Sequence, residues 1–113
     1  MGESVYLARA VALAKKSLGR TRPNPAVGAV IVKGGKIVGE GRHKKAGGDH
    51  AETSAIKNAF SRGVKSLEGA TIFVTLEPCS KVGRVGACTD AIASSGIKRV
   101  VYCVSDPNPK NRG

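Results

Sequence analysis

The sequence predicts an α/β fold, a three-layer α/β/α sandwich with helices on both faces of a mixed sheet. Three observations favour it. Two β-rich runs separated by a pair of glycines predict an antiparallel hairpin. Strand-like and helix-like segments then alternate, which predicts parallel pairing through right-handed crossovers. The last predicted strand, Lys98–Val104, contains the continuous apolar run Val100–Val104, as is usual in a strand buried on both faces.

The first half of the chain predicts a helix followed by the hairpin. A helix is expected over Ser4–Leu18, with Gly19 as the residue that ends it. Its apolar stripe comprises Leu7, Ala10, Val11, Ala14 and Leu18. The proline-rich stretch Thr21–Pro25 cannot continue a helix and predicts a stiff loop. The two hairpin strands are then expected over Ala26–Val32 and Lys36–Gly41.

The second half predicts helix, strand, helix and strand in that order. The first helix is expected over His50–Arg62 and should end at Gly63. Its inward residues are expected to be Ala51, Ala55, Ile56, Ala59 and Phe60. A β-branched strand over Ala70–Leu76 leads into a loop, and a shorter helix is expected over Cys88–Ser95. The complete predicted order is α-β-β-α-β-α-β.

Length and composition indicate one globular domain with an anionic partner. The 113 residues are 41% hydrophobic and 24% charged, and no apolar run approaches the roughly 20 residues that span a bilayer. The N-terminus lacks a signal-peptide pattern, so we expect a cytoplasmic protein. A net charge of +11 favours binding of nucleic acid or a phosphorylated small molecule. Only four aromatic residues are present, which argues against a platform for single-stranded nucleic acid.

One imidazole, two thiols and a carboxylate form the most informative pattern. His50 precedes Glu52 by two residues, and Cys79, which follows a proline, is succeeded by Cys88. Imidazole and thiolate ligands suit zinc, and three protein ligands leave a position open for catalysis. This order of residues is the signature of zinc deaminases, in which the glutamate moves protons and is not a ligand. We therefore predict a zinc site on His50, Cys79 and Cys88, with Glu52 as the catalytic acid–base group.

Simpler interpretations of the same residues remain open. Asp49 and Glu52 have the spacing of a helix capping box, the histidine could lie on the surface, and the two cysteines could be small core residues. Cys103 lies within the apolar run Val100–Val104, so we expect it in the core and expect no disulfide framework. His43 could be a fourth ligand, a loop residue or, as we favour, a substrate contact.

Four segments resemble the pyrimidine deaminase of riboflavin biosynthesis. They are Thr21–Ile31 (TRPNPAVGAVI), Gly39–Glu52 (GEGRHKKAGGDHAE), Thr75–Cys88 (TLEPCSKVGRVGAC) and Asp106–Gly113 (DPNPKNRG). The resemblance spans essentially the whole chain. Its most specific element is the eight residues between the two cysteines, where nucleoside and tRNA deaminases usually have two. It implies a cytidine deaminase-like fold for residues 1–113.

The resemblance also implies a reaction and a set of contacts. The family converts 2,5-diamino-6-ribosylamino-4(3H)-pyrimidinone 5′-phosphate to the 5-amino-6-ribosylamino-2,4-dione, with release of ammonia. Zinc would be held by the histidine and two cysteines named above, and small deaminases of this kind commonly form homo-oligomers. Substrate contacts carried over by position are Asn24, His43, Lys81, Arg84, Asp106 and Asn108. The family usually has a histidine at Lys81 and often prolines at Gly86 and Ala87.

The length suggests that the chain is a deaminase module. Family members continue past the position of Gly113 with a helix and a strand, and commonly with a reductase domain that uses NADPH. Two alternative functions stay open. One is a zinc deaminase that acts on a nucleobase, nucleoside or nucleic acid, which the +11 charge supports. The other is a zinc-stabilised module that only binds nucleic acid, which would not need Glu52 beside the metal.

Overall fold

The computed structural model describes residues 3–16, 26–42, 50–77, 81–86 and 90–104. These residues form one five-stranded sheet and three helices. In chain order the elements are α1 (Glu3–Lys15), β1 (Ala26–Lys33), β2 (Lys36–Arg42), α2 (Ala51–Ser61), β3 (Thr71–Glu77), β4 (Lys81–Gly86), α3 (Asp90–Ser95) and β5 (Arg99–Val104). No helix within this described part is both long and apolar enough to cross a membrane.

The sheet is mixed, with the strand order β2-β1-β3-β5-β4. Strands β3 and β5 pair in parallel, and the other three neighbouring pairs are antiparallel. The hairpin turn between β1 and β2 consists of Gly34 and Gly35, whose φ angles are 62° and 76°. Two consecutive positive φ angles are typical of the two-residue turn that matches the twist of a hairpin. The predicted hairpin and the predicted parallel pair are both confirmed.

Helices cover both faces of the sheet, as the sandwich prediction requires. On one face α1 packs over a core cluster that includes Val30, Phe73 and Val101. On the other face α2 and α3 pack over a second cluster that includes Ile31 and Ile72. These side chains are 3% exposed or less, because consecutive strand residues point to opposite faces and both faces are covered.

Helix α1 buries a stripe that matches the predicted one at Ala10 and Ala14 and differs from it at Tyr6 and Leu13. Tyr6, Ala10, Leu13 and Ala14 are its buried apolar residues, whereas Leu7 is only half-buried. The Tyr6 ring packs against Phe73 with centroids 5.2 Å apart, and its hydroxyl donates to the carbonyl oxygen of Gly35 at 3.2 Å. This pairing with an aromatic residue in the sheet determines which side of α1 faces inward. The expected end of the helix at Leu18 and Gly19 lies outside the described residues.

Helix α2 lies very close to strand β2, because glycines face alanines at the contact. A Cβ atom built on Gly41 would approach the Ala51 carbonyl oxygen to under 3.0 Å, and one built on Gly39 would lie 2.6 Å from the Ala55 carbonyl oxygen. Ala51, Ala55 and Ala59 are fully buried, as predicted. The predicted burial of Phe60 is wrong: it is 45% exposed, because a large ring does not fit where the helix and strand backbones nearly touch.

The predicted end of α2 is confirmed. Gly63 has a φ of 97°, and its N–H donates to Phe60 while the N–H of Val64 donates to Ala59. This pair of hydrogen bonds satisfies two of the carbonyl groups that a helix end leaves without partners. Helix α2 therefore ends just before Gly63, with two of its last carbonyl groups paired.

The segment between the two predicted zinc cysteines contains a strand that the sequence analysis missed. It was predicted to be a loop, but Lys81–Gly86 forms β4, which pairs antiparallel with β5. The segment contains Gly83 and Gly86, which weaken a strand signal. Backbone pairing with the otherwise open edge of β5 stabilises this strand, which local propensity alone does not favour. The predicted helix over Cys88–Ser95 is described from Asp90 and ends before Gly96 as expected, while its predicted start at Cys88 lies outside the described residues.

Cys103 differs in part from expectation. It lies in β5 and is 4% exposed, so its predicted place in the core is confirmed. It also forms a disulfide bond, which the sequence analysis did not expect, and its partner lies outside the described residues. Cys103 pairs in register with Thr75, near the point where β3 leads towards Cys79. Parallel pairing of β3 and β5 thus places Cys103 beside Thr75, near the end of β3.

Candidate active site

The strands that adjoin most of the predicted site residues in sequence meet at one end of the sheet, here called the site end, where β3 finishes at Glu77. Because β1 is antiparallel to β3, its first residue pairs with Glu77 at this end. Strand β2 finishes at the same end, since Arg42 pairs with Gly28 near the start of β1. Strand β5 also finishes there, and Lys81, the first residue of β4, pairs with Val104. Strands β2, β3 and β5 therefore end at the site end, and β1 and β4 begin there.

The segments that hold the predicted residues adjoin these strand ends. Asn24 lies two positions before β1, and His43 directly follows β2. Cys79 lies two positions after β3, while Asp106 and Asn108 follow β5 by two and four positions. These five residues, like Cys88, lie outside the described residues. What the structure establishes is that the strands before or after them meet at one end of the sheet.

Helix α2 brings His50 and Glu52 to the same end. The first residue of this helix, Ala51, lies against Gly41, the penultimate residue of β2. His50 is the N-cap residue, with extended backbone angles of φ −66° and ψ 157°, and its side chain is exposed. Glu52 lies in the first turn and is half-buried. The contact between Gly41 and Ala51 thereby holds the start of α2, with His50 and Glu52, close to the end of β2.

The capping-box interpretation of Glu52 does not fit the helix boundary. A capping box needs the cap residue three positions before the glutamate, which would be Asp49. The N-cap is instead His50, which makes no side-chain capping hydrogen bond, and this places Glu52 at the second helical position. A negative charge in the first turn is still stabilised by the helix dipole. The carboxylate of Glu52 is therefore not used as a capping-box partner.

The described residues contain one of the three predicted zinc ligands, His50. Accordingly, no group of three His, Cys, Asp or Glu side chains is found among them. The donor set of the sequence, one imidazole and two thiols, is of the type that zinc prefers. His50 fits this role by its chemistry, because it is an exposed residue at the start of α2 and imidazole is a ligand that zinc prefers. The disulfide at Cys103 adds a condition, since only a reduced thiolate binds metal.

The two predicted contacts in β4 lie at different distances from the site end. Lys81 pairs with Val104 at this end, whereas Arg84 pairs with Val101. Three strand residues correspond to about 10 Å, so Arg84 lies that far along the strand from Lys81. Of the two residues, Lys81 is thus the nearer to the site end.

Thr75 is a residue of the site end that the sequence analysis did not single out. It is fully buried in β3, between Gly28 of β1 and Cys103 of β5. Its hydroxyl has no hydrogen-bond partner in the part of the chain that the structure describes. Buried hydroxyls are almost always paired, so an orphaned one near predicted functional residues is notable. Its sequence signal, a polar residue in an apolar strand just before Glu77-Pro78-Cys79, is weak.

Comparison with known proteins shows which family the chain resembles. Residues 2–104 match the family model described as the cytidine and deoxycytidylate deaminase zinc-binding region. The chain is 57% identical over 108 residues to the riboflavin biosynthesis protein RibD of Aquifex aeolicus, covering 96% of the chain and 29% of that protein. It is 49% identical over 113 residues to the diaminohydroxyphosphoribosylamino-pyrimidine deaminase of Buchnera aphidicola, covering all of the chain and 74% of that protein.

Solved structures have the same fold. A Thermotoga maritima diaminohydroxyphosphoribosylaminopyrimidine deaminase/5-amino-6-(5-phosphoribosylamino)uracil reductase matches with a TM-score of 0.75 and 52% identity, over 96% of the chain and 31% of that protein. Guanine deaminase of Bacillus subtilis matches with a TM-score of 0.65 and 31% identity, over 92% of the chain and 65% of that enzyme. The chain thus spans about a third of the longer relatives. It belongs to the zinc-binding cytidine and deoxycytidylate deaminase family and, within it, to the pyrimidine deaminases of riboflavin biosynthesis.

Proposed function

We propose that this protein hydrolyses 2,5-diamino-6-ribosylamino-4(3H)-pyrimidinone 5′-phosphate to the corresponding 5-amino-2,4-dione and ammonia. The observation that carries the proposal is the convergence at the site end. There the start of α2, with His50 and Glu52, meets the strand ends that adjoin the other residues of the deaminase pattern. Family membership and the Buchnera relative, which is named for this deaminase activity, point to the same reaction.

His50, Cys79 and Cys88 would hold the zinc ion. One neutral imidazole and two thiolates balance the charge of Zn²⁺ and leave a fourth position for a small ligand. When bound, zinc supplies a Lewis acid that makes water a competent nucleophile near neutral pH. His50, the N-cap residue of α2, and Glu52, in its first turn, lie at the same end of the sheet.

Glu52 is the proton carrier of the reaction. Water adds to the ring carbon that bears the amino group, and Glu52 accepts the proton that the water loses. It then delivers this proton to the amino nitrogen, so the C–N bond breaks and ammonia leaves; the remaining hydroxyl proton moves to the adjacent ring nitrogen, which leaves a carbonyl group. Its half-buried position limits contact with bulk water, and the absence of a capping-box role leaves the carboxylate available.

The remaining predicted residues recognise the substrate. Asn24 and Asn108, each between prolines, would read the edge of the pyrimidine ring, and Asp106 would accept hydrogen bonds from ribose hydroxyls. His43 and the cations of β4 would meet the 5′-phosphate, for which charge-assisted hydrogen bonds are well suited. Lys81, which adjoins the site end, is the cation of β4 that the register favours for this contact.

A nucleobase or nucleotide substrate is the alternative. Guanine deaminase and a cyanophage dCMP deaminase share the fold, at 31% and 26% identity, respectively. The riboflavin-pathway relatives are more similar. The proteins and solved structures named RibD are 44–57% identical to the chain. Binding of single-stranded nucleic acid is further disfavoured because Tyr6 and Phe73, two of the four aromatic residues, are buried. A cytoplasmic homo-oligomer remains a prediction.

Glu52→Gln tests the proposed role most sharply. The amide keeps the shape of the side chain but cannot transfer the proton, so turnover should fall about 10²–10⁴-fold while folding and zinc content are retained. Glu68→Gln is the matched control, because Glu68 is an exposed glutamate in a turn between α2 and β3. If Glu52→Gln loses activity only in proportion to its loss of folded protein, the carboxylate is structural and the mechanism is wrong.

A further inference from the structure

Cys103 is a buried nucleophilic residue that the proposed reaction does not use. It lies in β5, is 4% exposed and is bonded in a disulfide. The chain has three cysteines, and the other two are Cys79 and Cys88. A disulfide within this chain therefore joins Cys103 to one of these two residues. Because both are predicted zinc ligands, the disulfide and the zinc site compete for the same sulfur atom.

The surroundings of Cys103 favour a bond within the chain over a bond to a second molecule. Its neighbour on β3, Thr75, is fully buried. Val101 lies two positions earlier in β5, and hence on the same face of the sheet, and it is fully buried in the cluster beneath α1. A disulfide between two molecules needs a sulfur atom at the surface, which the folded chain does not offer at Cys103.

A disulfide at Cys103 leaves the predicted zinc site with too few ligands. Catalytic zinc sites have three protein ligands and one open position. Only a thiolate binds the metal, so a cysteine in a disulfide is lost as a ligand. The oxidised chain then keeps His50 and one thiol of the predicted set. The reduced chain has all three ligands, so reduction and zinc binding go together.

We propose that Cys103 is the resolving cysteine of a redox switch that removes zinc from the site. The inference rests on the zinc site of the proposed function and adds its regulation. The oxidant is a small-molecule disulfide of the glutathione type. A ligand thiolate attacks one of its sulfur atoms, so the S–S bond breaks, a mixed disulfide forms and one glutathione thiolate leaves. Cys103 then gives up its proton and attacks the protein sulfur of the mixed disulfide, which releases the second glutathione. The two protein sulfur atoms lose two electrons, and glutathione gains them.

The burial of Cys103 determines the order of these two steps. A side chain that is 4% exposed is a poor target for an oxidant in solution, so the reaction begins at the ligand cysteine and ends at Cys103. Zinc binds only the reduced chain, and by mass action added zinc should therefore slow the oxidation. In a reducing compartment a disulfide is usually transient or redox-sensing, which suits a reversible switch.

The test uses the whole chain, loaded with zinc in the reduced state and then treated with oxidised glutathione. Wild-type protein should lose its zinc, as measured by elemental analysis, and its three free thiols should fall to one. Dithiothreitol with added zinc should restore both values. Trypsin can cut after Lys81, Arg84 and Lys98, which places the three cysteines on three different peptides. Mass spectrometry of the digest should then find the Cys103 peptide linked to one of the other two.

Replacement of Cys103 separates thiol chemistry from packing. Cys103→Ala should hold one zinc ion per chain when reduced and keep its deaminase activity. In oxidised glutathione it should lose zinc at least about tenfold more slowly, because no buried thiol resolves the mixed disulfide. Cys103→Val keeps more of the buried volume and gives a second test if the alanine variant folds poorly. The matched control is Val101→Ala, which shortens a fully buried side chain of the same strand and should be oxidised like the wild type.

Three results would overturn the proposal. Equal rates of zinc loss in the wild type and Cys103→Ala would show that Cys103 takes no part. A digest of oxidised wild-type protein that links Cys79 to Cys88 would show that the ligands oxidise each other. Resistance of Val101→Ala equal to that of Cys103→Ala would assign the effect to packing. None of these measurements needs turnover, so failure of the proposed substrate would appear only in ammonia release and would leave this inference standing.

Discussion

Gly41→Ala should uncouple the activity of this protein from its folding. A methyl group on Gly41 would approach the carbonyl oxygen of Ala51 and the amide nitrogen of Ala55 to under 3.0 Å. Ordinary contacts begin at 3.4 Å, so the first turn of α2 would have to move by about 1 Å, because packed interiors leave no free space. Overpacking of this kind typically costs about 1–3 kcal/mol of folding free energy.

The functional effect of Gly41→Ala should be larger than its effect on stability. The displaced turn carries His50 and Glu52, and a misplacement of about 1 Å can lower a catalytic rate about 10²-fold. Gly39→Ala is the matched control, because its methyl group would lie 2.6 Å from the carbonyl oxygen of Ala55 and 2.8 Å from the Cβ of Ala59. These contacts are in later turns of α2, so a similar stability cost should come with a smaller loss of turnover.

Urea unfolding and ammonia release, measured on the same preparations, check this prediction. Turnover per folded molecule should be lower in Gly41→Ala than in Gly39→Ala, while their free energies of unfolding should be similar. Equal turnover per folded molecule would refute the idea that Gly41 positions the catalytic turn. A Gly41→Ala variant that loses stability but keeps the wild-type turnover per folded molecule would refute it as well.

Three further predictions concern the metal, an ion pair and a buried hydroxyl. Reduced wild-type protein should hold one zinc ion per chain and Cys88→Ser should lose it, as measured by elemental analysis; near-unit zinc in the variant would remove Cys88 from the site. Hydrogen bonds from Arg9 lower the pKa of Glu40 from 4.5, so their stabilisation is present above pH 4.5 and lost as the pH falls through the lowered pKa. Glu40→Gln should therefore cost about 1 kcal/mol of unfolding free energy at pH 7 and progressively less below pH 4.5, whereas a pH-independent difference would contradict the ionic contribution. Thr75→Val should leave the free energy of unfolding unchanged or raise it by about 1 kcal/mol, because the buried hydroxyl has no partner among the described residues; a loss of about 2 kcal/mol or more would show that it has one elsewhere in the chain.

Local signals explain what the sequence predicts well. Two adjacent glycines mark the hairpin turn, and Gly63 marks the end of α2, because few other residues adopt a positive φ. His50 and Glu52 were placed correctly at the start of a helix, since the glycines before them and the alanine stripe after them are local features. The layers and the parallel pair followed from the order of these elements.

Contacts between distant segments explain what the sequence did not predict. Strand β4 forms because β5 offers an edge, which no local pattern in Lys81–Gly86 reveals. Phe60 is exposed because the alanine stripe of α2 sits directly on glycines of β2. The ion pair of Arg9 with Glu40 joins residues 31 positions apart, so a count of charges could not locate it.

Ammonia release from the phosphorylated diaminopyrimidine is the measurement that tests the central claim most directly. Reduced, zinc-loaded protein should deaminate this substrate far faster than cytidine, guanine or adenosine-containing RNA. Removal of the 5′-phosphate should reduce the affinity for it. Faster deamination of any of the comparison substrates, or no ammonia from the diaminopyrimidine, would contradict the proposed function.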